Sequence, residues 1–123
     1  MAIKILLVDD SAVIRRALRF SIESQTDWEI SGEAENGKEA VEMVQRLSPD
    51  VIILDLSMPV MNGLDAARQI RLLAPRVYIL LFTLQGYPQL AEDARRVGVN
   101  QVLSKSGMAG STVLGAVRSF LAA

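Results

Sequence analysis

Residues 5–16 read ILLVDDSAVIRR, an apolar run that stops at two adjacent aspartates and gives way to a mixed stretch of helical length. A strand passing directly into a helix is one βα unit, and the same change of period recurs along the chain. Strand-length runs fall at 3–8 (IKILLV), 28–34 (WEISGEA), 51–56 (VIILDL), 77–83 (VYILLFT) and 101–104 (QVLS). The stretches that follow them predict helices at 12–24, 38–47, 63–73, 87–97 and 109–122. Turn signals such as Asn36-Gly37, Ser48-Pro49-Asp50, Asn62-Gly63 and Tyr87-Pro88 mark the joints. Five βα units in succession predict an α/β protein with a mainly parallel sheet and helices on both faces. Apart from Lys4 near the start of strand 1 and Asp55 near the end of strand 3, strands 1, 3 and 4 are apolar and belong at the centre, whereas WEISGEA carries more charge and suits an edge, with Trp28 covering it.

The bulk numbers narrow the chemistry. A chain of 123 residues buries roughly two thirds of its unfolded surface and is expected to form one domain, residues 1–123, without an output domain. Charged residues make up 22% and the net charge is -1, so no basic surface invites nucleic acid or anionic lipid. There is no cysteine and no histidine, which removes disulfides, thiolate and imidazole metal sites, and histidine-activated nucleophiles. No apolar run approaches the about 18 residues of a membrane span, and the N-terminus is too brief in its apolar part for a signal peptide. A cytoplasmic protein is the expectation.

Ligands of an open parallel sheet bind outside the carboxyl ends of its strands. There strand 1 delivers Asp9 and Asp10, strand 3 Asp55, strand 4 Thr83 and strand 5 Lys105. Each pair of carboxylates about 4 Å apart repels by about 4 kcal/mol at an effective dielectric of about 20, so the three require a cation. With only hard oxygen ligands on offer, Mg²⁺ fits, and it shares its open positions readily with phosphate. A cation beside a carboxylate, a lysine and a hydroxyl describes phosphoryl transfer to that carboxylate: Asp55 as nucleophile, Lys105 and Thr83 binding phosphoryl oxygens. As helix caps alone, Asp9, Asp10 and Ser11 would leave one acid in excess.

The motifs ILLVDD, DVIILDLSMPVMNGLDAARQIR, LLFT and VLSK, with ENGKEA between the first two, occur in this order over essentially the whole chain. In them the sequence resembles the receiver domain of two-component response regulators. The resemblance implies a doubly wound, flavodoxin-like sheet in strand order 2-1-3-4-5, the order general sheet rules cite for such receivers. It implies that Asp9 and Asp10 hold Mg²⁺ with Asp55 and the backbone carbonyl of Ser57, and that Asp55 accepts phosphate from a partner histidine kinase or phosphotransfer protein. Thr83 and Lys105 match the switch hydroxyl and the phosphate-binding lysine. Phosphorylation would then reshape the face of helix 4, strand 5 and helix 5, where an output domain or a second copy would dock. Such a module is a signalling phosphoacceptor with limited self-phosphorylation and self-dephosphorylation, not an enzyme in the ordinary sense, and it binds neither nucleic acid nor membrane directly.

Three positions depart from that pattern. Val102 stands where the family usually has an aromatic, Ser106 where it often has a cis proline, and Leu84 where a small residue leaves a path to the site. Leu84 is expected to narrow access, giving slower turnover of phosphate than Leu84→Ala. These departures motivate an alternative, a pseudo-receiver that acts through constitutive protein contacts. A flavin or nucleotide binder would need a phosphate-cradling loop where VDDSAV offers two anions, and a phosphatase of similar rim chemistry would need an acid at Ser57. The last segment carries Gly107, Gly110 and Gly115, so helix 5 is expected to be weak or short unless packed. Arg15, Arg16 and Arg19 read as a solvated face of helix 1, Met58 and Met61 as packing, and Gly63 as a turn residue.

Overall fold

The computed structural model of the chain describes residues 2–84, 86–106 and 109–123. Its elements alternate as the sequence predicts: β1 (Lys4–Val8), α1 (Ala12–Gln25), β2 (Glu29–Ala34), α2 (Gly37–Leu47), β3 (Val51–Leu54), α3 (Gly63–Leu73), β4 (Tyr78–Thr83), α4 (Leu90–Arg96), β5 (Gln101–Ser104) and α5 (Ala109–Ala122). All strands pair in parallel, in the order β2-β1-β3-β4-β5. This is the doubly wound order, with the charged β2 at one edge.

Alternation along the central strands feeds two cores. Leu6, Val8, Ile52, Leu54, Ile79 and Leu81 face α2, α3 and α4, where Ala40, Val44, Ala66, Ala67, Ile70 and Ala94 complete the layer. Ile5, Leu7, Val51, Ile53, Tyr78, Leu80 and Phe82 face the other side, against Leu18 and Ile22 of α1 and Val113, Leu114 and Val117 of α5. A strand buried on both sides has no polar face to show, which is why these runs are apolar except at Lys4, the exposed first residue of β1.

Side-chain caps set the helix starts. Ser11 Oγ accepts from the Ile14 amide at 3.3 Å, Asn36 Oδ1 from Glu39 at 2.9 Å and Asn62 Oδ1 from Asp65 at 2.9 Å. One expectation needs correction. Helix 4 starts at Leu90, not 87, because Tyr87-Pro88 form a turn in which the Leu90 amide bonds the Tyr87 carbonyl at 2.9 Å. Helix 5, expected to be weak or short unless packed, is packed and runs 14 residues. Burial of Val113, Leu114 and Val117, and stacking of Phe120 on Tyr78 with centroids 4.2 Å apart, outweigh the glycine cost.

Candidate functional site

Strand register brings the acids together. Val8 and Leu54 are ladder partners, so the residues that follow them, Asp9 and Asp55, leave the sheet side by side, and the Asp55 amide bonds the Val8 carbonyl at 2.8 Å. Strand 3 ends at Leu54, two residues before its expected end, because Asp55 turns its carboxylate onto the next amide, Leu56, at 2.9 Å. Carboxylate oxygens of Asp9, Asp10 and Asp55 all lie within 4.8 Å of one another. Asp9 and Asp55 are buried; Asp10 is exposed.

Lys105 reaches this cup from β5, through the backbone bond of its amide to the Thr83 carbonyl at 2.9 Å. Its Nζ donates to Asp9 Oδ2 at 2.6 Å and to Asp55 Oδ1 at 3.1 Å, with the side chain only 7% exposed. The ammonium also stands 5.8 Å from the centre of the Phe82 ring. Burial and the neighbouring Asp9 charge hold the Asp55 carboxyl above its ordinary value, despite the bonds from Lys105 and Leu56. For Lys105, burial works against the charge, and the bonds from the two acids outweigh it, leaving the ammonium more firmly protonated than usual. Three acids against one lysine leave the cup negative, and its oxygen-only donor set fits Mg²⁺.

The structure thus unites Asp9, Asp10, Asp55 and Lys105. Thr83 is buried at the end of β4, on the same rim. Ser57 is exposed in the loop that leaves β3, outside the acidic group itself. Leu84, next to Thr83, is 71% exposed. Val102 is half-buried against the core on the α3 side. No peptide bond among the described residues is cis; Ser106 instead bonds its amide to Ser104 Oγ at 3.2 Å. Met58 and Met61 pack on the core as expected.

Sequence reading missed how the surrounding loops are held. Gly63 does more than turn the chain: a Cβ there would lie 2.2 Å from the Asp55 carbonyl oxygen, so the α3 start is pressed onto the acid's own backbone. Within that loop Val60 has φ 70°, and the Met61 amide bonds the Pro59 carbonyl at 2.7 Å. This is a γ-turn of the strained hand, centred on a β-branched residue. It is held from both sides, by Gly37 N–H on the Met61 carbonyl at 3.0 Å and Gly63 N–H on the Leu56 carbonyl at 2.8 Å.

Nor do all three arginines of α1 form a solvated face. Arg16 is exposed, but Arg15 is 12% exposed and bonds Glu33 at 2.8 Å and the Asp9 carbonyl at 2.6 Å. Arg19 shares the same Glu33 at 2.7 Å. Burial tends to raise the Glu33 carboxyl, and the bonds from Arg19 and Arg15 outweigh it, leaving it below the ordinary range. The visible signal was an arginine pair one helical turn apart facing a strand with acids at alternate positions.

A buried lysine closing an acidic cup at the carboxyl end of a 2-1-3-4-5 parallel sheet is the layout of a receiver. Residues 5–114 match the response regulator receiver domain, and the chain belongs to that family. It is 35% identical over 105 residues to the chemotaxis protein CheY of Thermotoga maritima, covering 85% of this chain and 87% of that protein. It is 42% identical over 109 residues to a protein-glutamate methylesterase/protein-glutamine glutaminase of Methanococcoides burtonii, covering 86% of this chain but only 31% of the relative's length. Among solved structures, a LuxR-family response regulator from Aurantimonas superposes with a TM-score of 0.91 at 29% identity, over 99% of this chain and 86% of that one. CheY in the CheX-CheY-BeF3-Mg²⁺ complex of Borrelia burgdorferi superposes with a TM-score of 0.90 at 26% identity, over 97% and 89%.

Proposed function

We propose that the chain accepts a phosphoryl group on Asp55 from a partner histidine kinase or phosphotransfer protein and thereby switches a protein-interaction surface. An oxygen of the Asp55 carboxylate attacks phosphorus, the bond from phosphorus to the donor breaks, and an acyl phosphate forms. Lys105 neutralises the incoming phosphoryl oxygens and Thr83 bonds one of them. Asp9, Asp10, Asp55 and the Ser57 carbonyl would hold Mg²⁺, which supplies charge neutralisation between carboxylate and phosphoryl group. The presence of Mg²⁺ with CheY in the Borrelia complex supports this choice of ion.

One observation carries the proposal: Lys105 Nζ bridges Asp9 and Asp55 inside the three-acid group. The ammonium offsets part of the repulsion among the acids, and a divalent ion would offset the rest and neutralise charge on an incoming phosphoryl group. The face of α4, β5 and α5 is the proposed switch surface, for an output domain or a second copy of the chain. A protein partner supplies the output, the module itself being a phosphoacceptor and not an ordinary enzyme.

Intact-mass measurement after incubation with Mg²⁺ and acetyl phosphate tests the reading. The expected result is a gain of one phosphate in the wild type, absent in Asp55→Asn and absent with a chelator. No gain in a folded, magnesium-supplied wild type would overturn it and favour the pseudo-receiver, which acts without phosphate.

A further inference from the structure

We infer that Arg15, held by Glu33, is a positioning residue that fixes Asp9 for divalent-cation binding; this rests on the function proposed above. Every polar group of Asp9 is engaged. Its amide donates to the Ala34 carbonyl at 3.1 Å, Oδ1 accepts from the Ser11 amide at 2.9 Å, and Oδ2 accepts from Lys105 at 2.6 Å. Its carbonyl accepts from Arg15 Nη1 at 2.6 Å. Three of these partners come from main chain or from the cup itself, and Arg15 alone reaches in from outside.

The placement of Arg15 is itself determined. Nε donates to Glu33 Oε1 at 2.8 Å, and Arg19 takes Glu33 Oε2 through Nε at 2.9 Å and Nη2 at 2.7 Å. A planar guanidinium docked on a strand carboxylate has its remaining donors aimed, which an ammonium on a flexible stem cannot match. A bare cation beside a metal cup would repel the incoming ion. Because Glu33 and Glu35 face Arg15, and Glu33 and Glu23 face Arg19, these acids offset that charge, and Arg15 can hold the Asp9 carbonyl with little electrostatic opposition to the ion. Two effects with opposite signs can therefore be separated: removal of the arginine favours the ion by charge and disfavours it by loosening Asp9. Outer partners of metal ligands typically change affinity by about 10- to 100-fold, which places the positioning effect ahead for an arginine whose charge the surrounding acids offset.

Calorimetric titration of the full chain with Mg²⁺ decides between them, using Arg15→Ala and Arg15→Lys alongside the wild type. Positioning predicts affinity weaker by about tenfold in Arg15→Ala, and weaker in Arg15→Lys although the charge is kept. It also predicts faster hydrogen exchange at the Ser11 amide, which bonds Asp9 Oδ1, in both variants. Affinity within twofold of wild type in folded Arg15→Lys, or tighter binding in Arg15→Ala, overturns the inference, and so does a lowered melting temperature with affinity unchanged. If Arg15→Ala does not fold, Arg15→Lys alone decides. Absence of Mg²⁺ binding by the wild type overturns both this inference and the proposed function, whereas normal wild-type binding and phosphorylation with indifferent variants overturns this inference only.

Discussion

Two half-hidden cations stand at opposite ends of one sheet. At the amino end Arg71, near the end of α3, donates to the carbonyls of Val77 at 2.7 Å, Pro75 at 3.0 Å and Gly98 at 2.7 Å, and to Asn100 Oδ1 at 2.8 Å. It makes no ion pair among the described residues, and burial pulls its pKa below the ordinary value. At the carboxyl end Lys105 faces two acids. Neutral acceptors around a rigid fork hold two loops in place and ask for nothing further. Acids around a single ammonium leave negative charge uncompensated, and that surplus is what a divalent ion can offset. The same cationic chemistry meets neutral acceptors at one end and, at the other, the acids on which the proposed function rests.

The contrast can be broken most sharply at Lys105. Lys105→Ala should lower the rate of phosphorylation from acetyl phosphate about 10²- to 10³-fold, the scale for losing one preorganised charge-stabilising group, while the protein stays folded. Rates within a factor of three of wild type would erase the distinction. Arg71→Ala should do the reverse. Orphaning acceptors in both the α3–β4 and α4–β5 connections is expected to cost about 3 kcal/mol in urea unfolding, with phosphate acceptance per folded molecule unchanged.

Strain at the rim supplies a third comparison. Val60 is 77% exposed, so Val60→Gly loses no burial while relieving a conformation that costs about 1–3 kcal/mol, against a glycine penalty of about 0.5–1 kcal/mol. A net gain of about 1 kcal/mol in thermal or urea unfolding is expected; a loss would mean that the turn is not strained. The smallest effect is reserved for Gly115, where a Cβ would meet nothing within 4 Å. Gly115→Ala should stabilise α5 by about 0.5–1 kcal/mol, with no effect on phosphorylation.

Much of this was legible in the residues. Apolar runs bounded by turn dipeptides located all five strands, and the rule that ligands gather at strand ends united Lys105 with Asp55 and Asp9 across gaps of 50 and 96 residues. Periodicity is a property of the string, so it survives without coordinates. What escaped depends on how side chains meet backbone. Arg71 and Arg15 work through carbonyl groups, which every residue carries and no pattern distinguishes. Val60 is strained because its neighbours are tied at Met61 and Gly63, so the cause lies outside the residue. For α5 the glycines left the outcome to packing, and which side chains supply it was not readable from propensity.

The single tryptophan has an experimental consequence. Trp28 precedes β2, at the end of the sheet away from the acids, half-buried, with the Arg118 guanidinium 5.9 Å from its ring. Its emission therefore watches the seam between α1 and the tail of α5 and is remote from any ion in the cup. A change of fluorescence on adding magnesium would signal a disturbance relayed through the full depth of the molecule, whereas a silent indole beside a calorimetric signal would mark binding that stays local.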